Sequence, residues 1–194
     1  MVIVAYRDQR MATATRMTAE QYYATTVEGD RMQLVDGRIV VNEPTVEHAR
    51  IQLRLARRLG NWAAEGPARG EALLPTDVRL DAHNVFGPDL LWFSDAPVPL
   101  DARGYPARLP DLCVEIRSES TWRYDIGPKM RAYERAGLPE RWLVDVSAET
   151  VIVYRRSTPK SPTFDIALEL GRGETLTSPR PPGFALPLGR VFER

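Results

Sequence analysis

Between Thr45 and about Ala64, apolar residues recur at Ile51, Leu55, Leu59 and Trp62 with arginines between them, which is the period of a helix and not of a strand. Ahead of that helix, Met32 to Val35 and Arg38 to Val41 are short apolar runs joined by Asp36-Gly37, a dipeptide that favours a type I′ turn, and they predict an antiparallel hairpin. Ala72 to Leu80 and Leu90 to Phe93 read as two strands, separated by the turn-like Asp81-Ala-His-Asn84 and Gly87-Pro88. A proline-punctuated loop from Arg103 to Pro110 leads to a third strand, Leu112 to Ile116. From Asp125 to Ala136 the helical period returns, with Ile126, Met130 and Tyr133 on one face, Pro128 in the first turn where its missing N–H costs little, and Gly137 as the C-cap. Arg141 to Val146 is a fourth strand, Val151 to Arg155 with Phe164 to Leu170 add a meander, and Phe184, Leu186, Leu188 and Phe192 of the tail are expected to pack on the body.

The middle of the chain therefore runs helix, strand, strand, strand, helix, strand, an α/β pattern with a mixed sheet of the α+β kind. Residues before Met17 lack periodicity and read as a flexible extension, residues 1–16, followed by a single domain over residues 17–194. Thr18 opens that domain by capping a short helix through Ala24. No internal repeat or low-complexity tract interrupts it.

Composition narrows the function classes. The formal net charge is zero, which argues against bulk coating of nucleic acid but leaves room for a local basic groove. A single cysteine, Cys113, gives no disulfide framework and no soft metal cluster, so a reducing compartment is expected. The apolar start at Met1 to Tyr6 is too short for a signal sequence, and no stretch approaches the roughly 20 apolar residues that span a bilayer, so the expected setting is the cytoplasm without a membrane partner. Nearly every cation is arginine; the lysines are Lys129 and Lys160, and Lys160 lies in a turn-like Ser157 to Pro162 segment. A reaction that needs an amine of tunable pKa has Lys129 as its candidate.

Two acids stand out against this pattern. Strand alternation places Asp89, Leu91 and Phe93 on one face, so a carboxylate opens an apolar strand; a turn aspartate after Pro88 is the alternative. Glu115 interrupts a strand whose neighbours call for burial, and an unpaired carboxylate there needs a cation, either a metal or a side chain such as Arg117 on the same face. Two carboxylates from neighbouring strands offer the hard oxygen ligands that Mg²⁺ or Mn²⁺ prefers. Asp125, Lys129 and Tyr133 follow at successive i, i+4 positions on one helical stripe, or else form a surface Asp-Lys pair beside a core tyrosine. With no cysteine partner and no HxxxH spacing, His48 and His83 do not suggest zinc; His83 is expected in an exposed hairpin turn, and His48, at the helix start, is either a structural histidine or within reach of a site.

Pro88-Asp89, then Pro110-Asp-Leu-Cys-Val-Glu-Ile-Arg-Ser-Glu-Ser-Thr121, then Asp125, Lys129 and Tyr133, then Arg141-Trp-Leu-Val-Asp145, resembles the Uma-two family of restriction-endonuclease-like proteins in the PD-(D/E)xK superfamily. The resemblance runs from about Met17 to the C-terminus and takes in the hairpin, Val46-Glu-His48 and Asp77-Val-Arg-Leu80. It implies a metal-dependent endonuclease that hydrolyses DNA, with Asp89 and Glu115 as metal-binding and catalytic acids and Lys129 as the catalytic lysine carried on the helix. Arg117, Tyr133, Asp125 and His48 would support that site or bind substrate, and Mg²⁺ or Mn²⁺ would be the cofactor. DNA is the partner so implied, with room for a homodimer. This chain departs from the family pattern at Gln33, often glutamate, and at Glu119, often proline. A non-catalytic nucleic-acid-binding or scaffold module on the same fold is the main alternative, favoured if Arg117 fills the place of the metal. A hydrolase or transferase for small phosphorylated molecules would want phosphate-cradling glycines, which the sequence lacks.

Overall fold

The computed structural model describes residues 16–27, 30–66, 68–118 and 121–193. All of the expected extension before Met17 except Arg16 lies outside the described residues. Helix α1 (Ala19–Thr25) starts at a capping box in which Thr18 and Gln21 satisfy each other's backbone N–H groups. Strands β1 (Met32–Val35) and β2 (Arg38–Val41) form the expected hairpin, and Asp36 and Gly37 both take positive φ, as a type I′ turn demands. Helix α2 (Val46–Ala64) begins at the Thr45 cap and buries Ile51, Leu55 and Leu59.

The segment read as one strand from Ala72 to Leu80 is two. Strand β3 (Glu71–Leu73) joins the main sheet, whereas β4 (Val78–Asp81) pairs with β5 (Asn84–Phe86) in a smaller sheet of order β2-β1-β5-β4. Pro75 lies in the gap, where a residue without an N–H interrupts any ladder. Alternation alone did not reveal β5, which is buried along its whole length.

The main sheet runs β10-β9-β8-β7-β6-β3, with β6 (Leu90–Phe93), β7 (Leu112–Ile116), β8 (Glu140–Asp145), β9 (Thr150–Arg155) and β10 (Ile166–Gly171). Only β7 and β8 are parallel among its pairs, which makes it mixed. One face, through Leu90, Trp92, Val114 and Trp142, packs on α2 and on Phe184, Leu186, Leu188 and Phe192 of the tail. Cys113 on the opposite face meets Tyr133 and the small sheet. Burial on both faces accounts for the near-continuous apolar runs in β6 and β7. Two further short strands, β11 (Thr175–Thr177) and β12 (Ala185–Pro187), pair with each other in the tail.

The predicted helix from Asp125 to Ala136 is broken. A single turn, α3 (Trp122–Asp125), ends at Ile126, and α4 (Pro128–Ala136) starts afresh with Pro128 in its first turn. Gly127 sits at the break because a Cβ there would lie 2.9 Å from the Arg123 carbonyl oxygen. The break alters the expected face in part: Tyr133 is buried as expected, but Ile126 is 51% exposed, whereas Lys129 is 2% exposed.

Candidate active site

Strand pairing brings the two acids together. Leu90 opposes Val114 and Leu91 opposes Cys113 in the antiparallel β6–β7 ladder, so one further step sets Asp89 opposite Glu115 at the sheet end. Asp89 is not a free turn residue: it is 4% exposed, and its Oδ2 accepts the Ile116 N–H at 2.7 Å and lies 3.2 Å from His48 Nε2. Gln52, one turn beyond His48 on α2, donates to the Asp89 carbonyl at 2.9 Å.

Glu115 is held from the other side of the sheet. Its Oε1 accepts from Tyr133 Oη at 2.9 Å and lies 2.5 Å from Lys129 Nζ. Lys129 also stands 3.1 Å from Asp125 Oδ1, so Asp125, Lys129 and Tyr133 face the sheet as one stripe despite the helix break, and a surface Asp-Lys pair is excluded. Asp125 is fixed by Thr121 Oγ1 at 3.0 Å and by Arg141, which donates to its carbonyl at 2.7 Å and brings a second guanidinium nitrogen to 3.7 Å from Oδ1.

Glu115 and Asp125 thus share two cations, Lys129 and Arg141, while Asp89 faces His48. Burial pushes the Glu115 carboxyl above its usual range; Lys129 and Arg141 oppose the rise, while Asp125 and Asp89 add to it. Burial by itself would favour a neutral Lys129 amine, but Glu115 and Asp125 outweigh it and hold the ammonium. The two carboxylates thus favour the charged form of the amine whose rarity in the sequence singled it out. Burial likewise works against a charged His48, yet its bond to Asp89 and the charges of Asp89 and Glu115 raise its pKa.

Arg117 is not the counter-charge of Glu115. The strand ends at Ile116, and the Arg117 guanidinium turns to Asp145 at the end of β8 and lies over the Trp122 ring, 4.4 Å from its centroid. Alternation stops dictating direction where the strand stops. His83, expected to be exposed, is half-buried, with Nδ1 2.9 Å from the Met17 carbonyl oxygen and away from the acids, and Lys160 is exposed. Gln33 lies inside, 5% exposed, not on the surface.

Sequence reasoning assigned no role to Gln52, Thr121 or Arg141. Gln52 was detectable as the i+4 neighbour of His48, whereas Arg141 stands beside Glu140 ahead of the apolar run Trp142 to Val144, so its burial carried a weaker signal than that of Glu115.

Asp89 Oδ1 and Glu115 Oε2 accept no hydrogen bond among the described residues. No cluster of three His, Cys, Asp or Glu side chains arranged for a metal occurs among the described residues. A pair of carboxylates completed by water and substrate oxygens is the usual demand of Mg²⁺, and these two open oxygens fit it. No helix among the described residues is long and apolar enough to cross a membrane.

The mixed sheet with a helix packed on each face is a restriction-endonuclease-like arrangement, and the comparisons agree with it. The family model Uma2, described as "Putative restriction endonuclease", matches residues 19–189, and the chain belongs to that family. The crystal structure of a "putative nuclease belonging to DUF820" from Anabaena variabilis ATCC 29413 superposes with a TM-score of 0.74 at 17% identity, covering 91% of this chain and 97% of that one, a likeness of fold. No curated protein matches the chain.

Proposed function

We propose that residues 17–194 act in the cytoplasm as a metal-dependent endonuclease that hydrolyses DNA phosphodiester bonds, with Asp89 and Glu115 as the ligands of Mg²⁺ or Mn²⁺. The observation that carries this reading is the pairing of Asp89 and Glu115 at the end of adjacent strands, each with one oxygen held by the protein and one left open. A divalent ion bound there would polarise the phosphate and lower the pKa of a coordinated water. The chain's own residues prepare that place. His48 and the Ile116 N–H hold Asp89 Oδ2 and so orient Oδ1. Tyr133 and Lys129 hold Glu115 Oε1 and so orient Oε2. The Lys129 ammonium, kept protonated, sets a positive charge beside the acids, where negative charge develops on the phosphoryl oxygens during hydrolysis. Arg117 bound between the two acids would have favoured a non-catalytic module, and its pairing with Asp145 supports catalysis instead.

The test is plasmid cleavage in Mn²⁺, Mg²⁺ or EDTA by wild type and Glu115→Gln, with Mn²⁺ titrated calorimetrically. Cleavage that needs the metal, together with Mn²⁺ binding lost in Glu115→Gln, is expected. A wild type that binds no Mn²⁺ and cuts nothing would overturn the proposal.

A further inference from the structure

Beside Asp89 the surface opens into a cleft of about 1010 Å³, lined by β1, the first half of α2, the segment between β3 and β4, and the loop at Tyr105. Its polar lining is unfinished. Gln33 Oε1, Asn42 Oδ1 and His48 Nδ1 are buried and bond to nothing among the described residues, although buried polar groups are normally paired. Gln33 and His48 are 5% and 3% exposed, so solvent does not serve them freely.

The rim is of the opposite character. Val27, Val46, Leu53 and Leu74 line the cleft and are 70%, 70%, 60% and 62% exposed. The half-buried Tyr105 ring stands with them, 5.2 Å from the Tyr23 ring. The lining carries charges of both signs, Asp30, Asp77 and Asp89 with Arg31 and Arg103, and Arg103 is engaged by Asp101 and the Tyr23 ring, so the cleft is no dedicated phosphate pocket. A flat group with apolar faces and hydrogen-bonding edges would meet apolar walls and carboxamides that offer both a donor and an acceptor.

We propose that this cleft receives an unpaired nucleobase, so that the preferred substrate is single-stranded or locally unpaired DNA. A base stacked in a duplex keeps its faces and its pairing edge engaged, whereas an unpaired base presents the edge that Gln33 and Asn42 can pair with and the face that Tyr105 and Leu53 can cover. The choice of a DNA strand as the ligand rests on the nuclease reading, and binding measured without metal keeps the two apart.

The experiment is fluorescence anisotropy in EDTA with a labelled dodecamer strand, its blunt duplex and an abasic dodecamer that carries the same charge without bases. Wild type should bind the strand about tenfold or more tightly than either control. Tyr105→Ala and Gln33→Met should each weaken strand binding about fivefold or more and leave duplex binding unchanged, with thermal melts to show that both variants fold. Equal affinity for all three probes, or strand binding untouched in both folded variants, overturns the proposal. Strand preference without any cleavage in Mn²⁺ would overturn the nuclease reading and leave the base-binding cleft standing. Cleavage without strand preference would do the reverse.

Discussion

Lys129 and Glu115 meet between α4 and β7 with Nζ 2.5 Å from Oε1, and the two side chains expose 3% and 5% of their surface. At that burial the pair is costly to break, because either partner left alone is a charge without water. Lys129→Met should lower unfolding free energy by about 3–5 kcal/mol. The double variant Lys129→Met/Glu115→Gln should recover part of the loss. Urea unfolding of the three proteins measures this, and a Lys129→Met midpoint close to wild type would show that the amine is not holding the acids. Lys129→Arg keeps the charge, but its larger, planar head does not fit the same space, so single-turnover cleavage should fall at least about tenfold.

Arg117 should matter little to the acids. It pairs with Asp145 and its side chain is 36% exposed, which places the pair in the range of about 0–1 kcal/mol. Arg117→Ala should therefore melt near wild type and bind Mn²⁺ with unchanged affinity by calorimetry. A severalfold rise in Mn²⁺ affinity would mean that Arg117 competes for the metal position after all.

His48 makes stability depend on pH in a defined direction. Its folded pKa lies above the ordinary 6.5, because Asp89 and Glu115 outweigh the opposing effect of burial. The contribution is fully present below pH 6.5, the unfolded value, and is lost as pH rises through the folded one. In EDTA, the stability difference between wild type and His48→Gln should shrink from mildly acidic to alkaline pH. A difference that grows with pH would rule out the charged pairing with Asp89.

Asp77 has the opposite chemistry with the same slope. Burial lifts its carboxyl to about 6, with Tyr22 pulling the other way, against an ordinary value of 3.8. Between those values the folded state holds the proton that the unfolded state has released, so stability falls as pH rises from about 4 to 6. Asp77→Asn should flatten that part of the profile, as urea midpoints across the interval will show.

Gly127→Ala tests how the helix break delivers Lys129. The new Cβ would press on the Arg123 carbonyl oxygen at 2.9 Å, and the chain must shift to relieve it. A loss of about 1–3 kcal/mol is expected, with reduced cleavage because α4 carries Lys129. Full activity with wild-type stability would show that the break tolerates a side chain.

Most of the frame was legible where the signal is local. The Asp36-Gly37 turn, the Thr45 cap and the spacing of Ile51, Leu55 and Leu59 specify their elements through neighbouring residues, and the structure has them at those places. The same rules failed where two segments compete for one partner or where a turn intervenes. Ala72 to Leu80 looked continuous, yet Pro75 lies between β3 and β4 in different sheets. Ile126 fitted the apolar stripe of a helix that in fact stops beside it.

By itself the sequence determined that Glu115 must find a cation, since a carboxylate amid Leu112, Cys113, Val114 and Ile116 is bound to be buried whatever the fold. Which cation, it could not determine. Arg117 is two residues away and Lys129 is fourteen, so alternation favoured the nearer one. The choice was made by the docking of α4 over β7, which carries Lys129 to Oε1, and by the end of β7 at Ile116, which releases Arg117 to Asp145. The same holds for Asp89: its place opposite Glu115 comes from strand register, and register is a relation between distant segments that no local pattern contains.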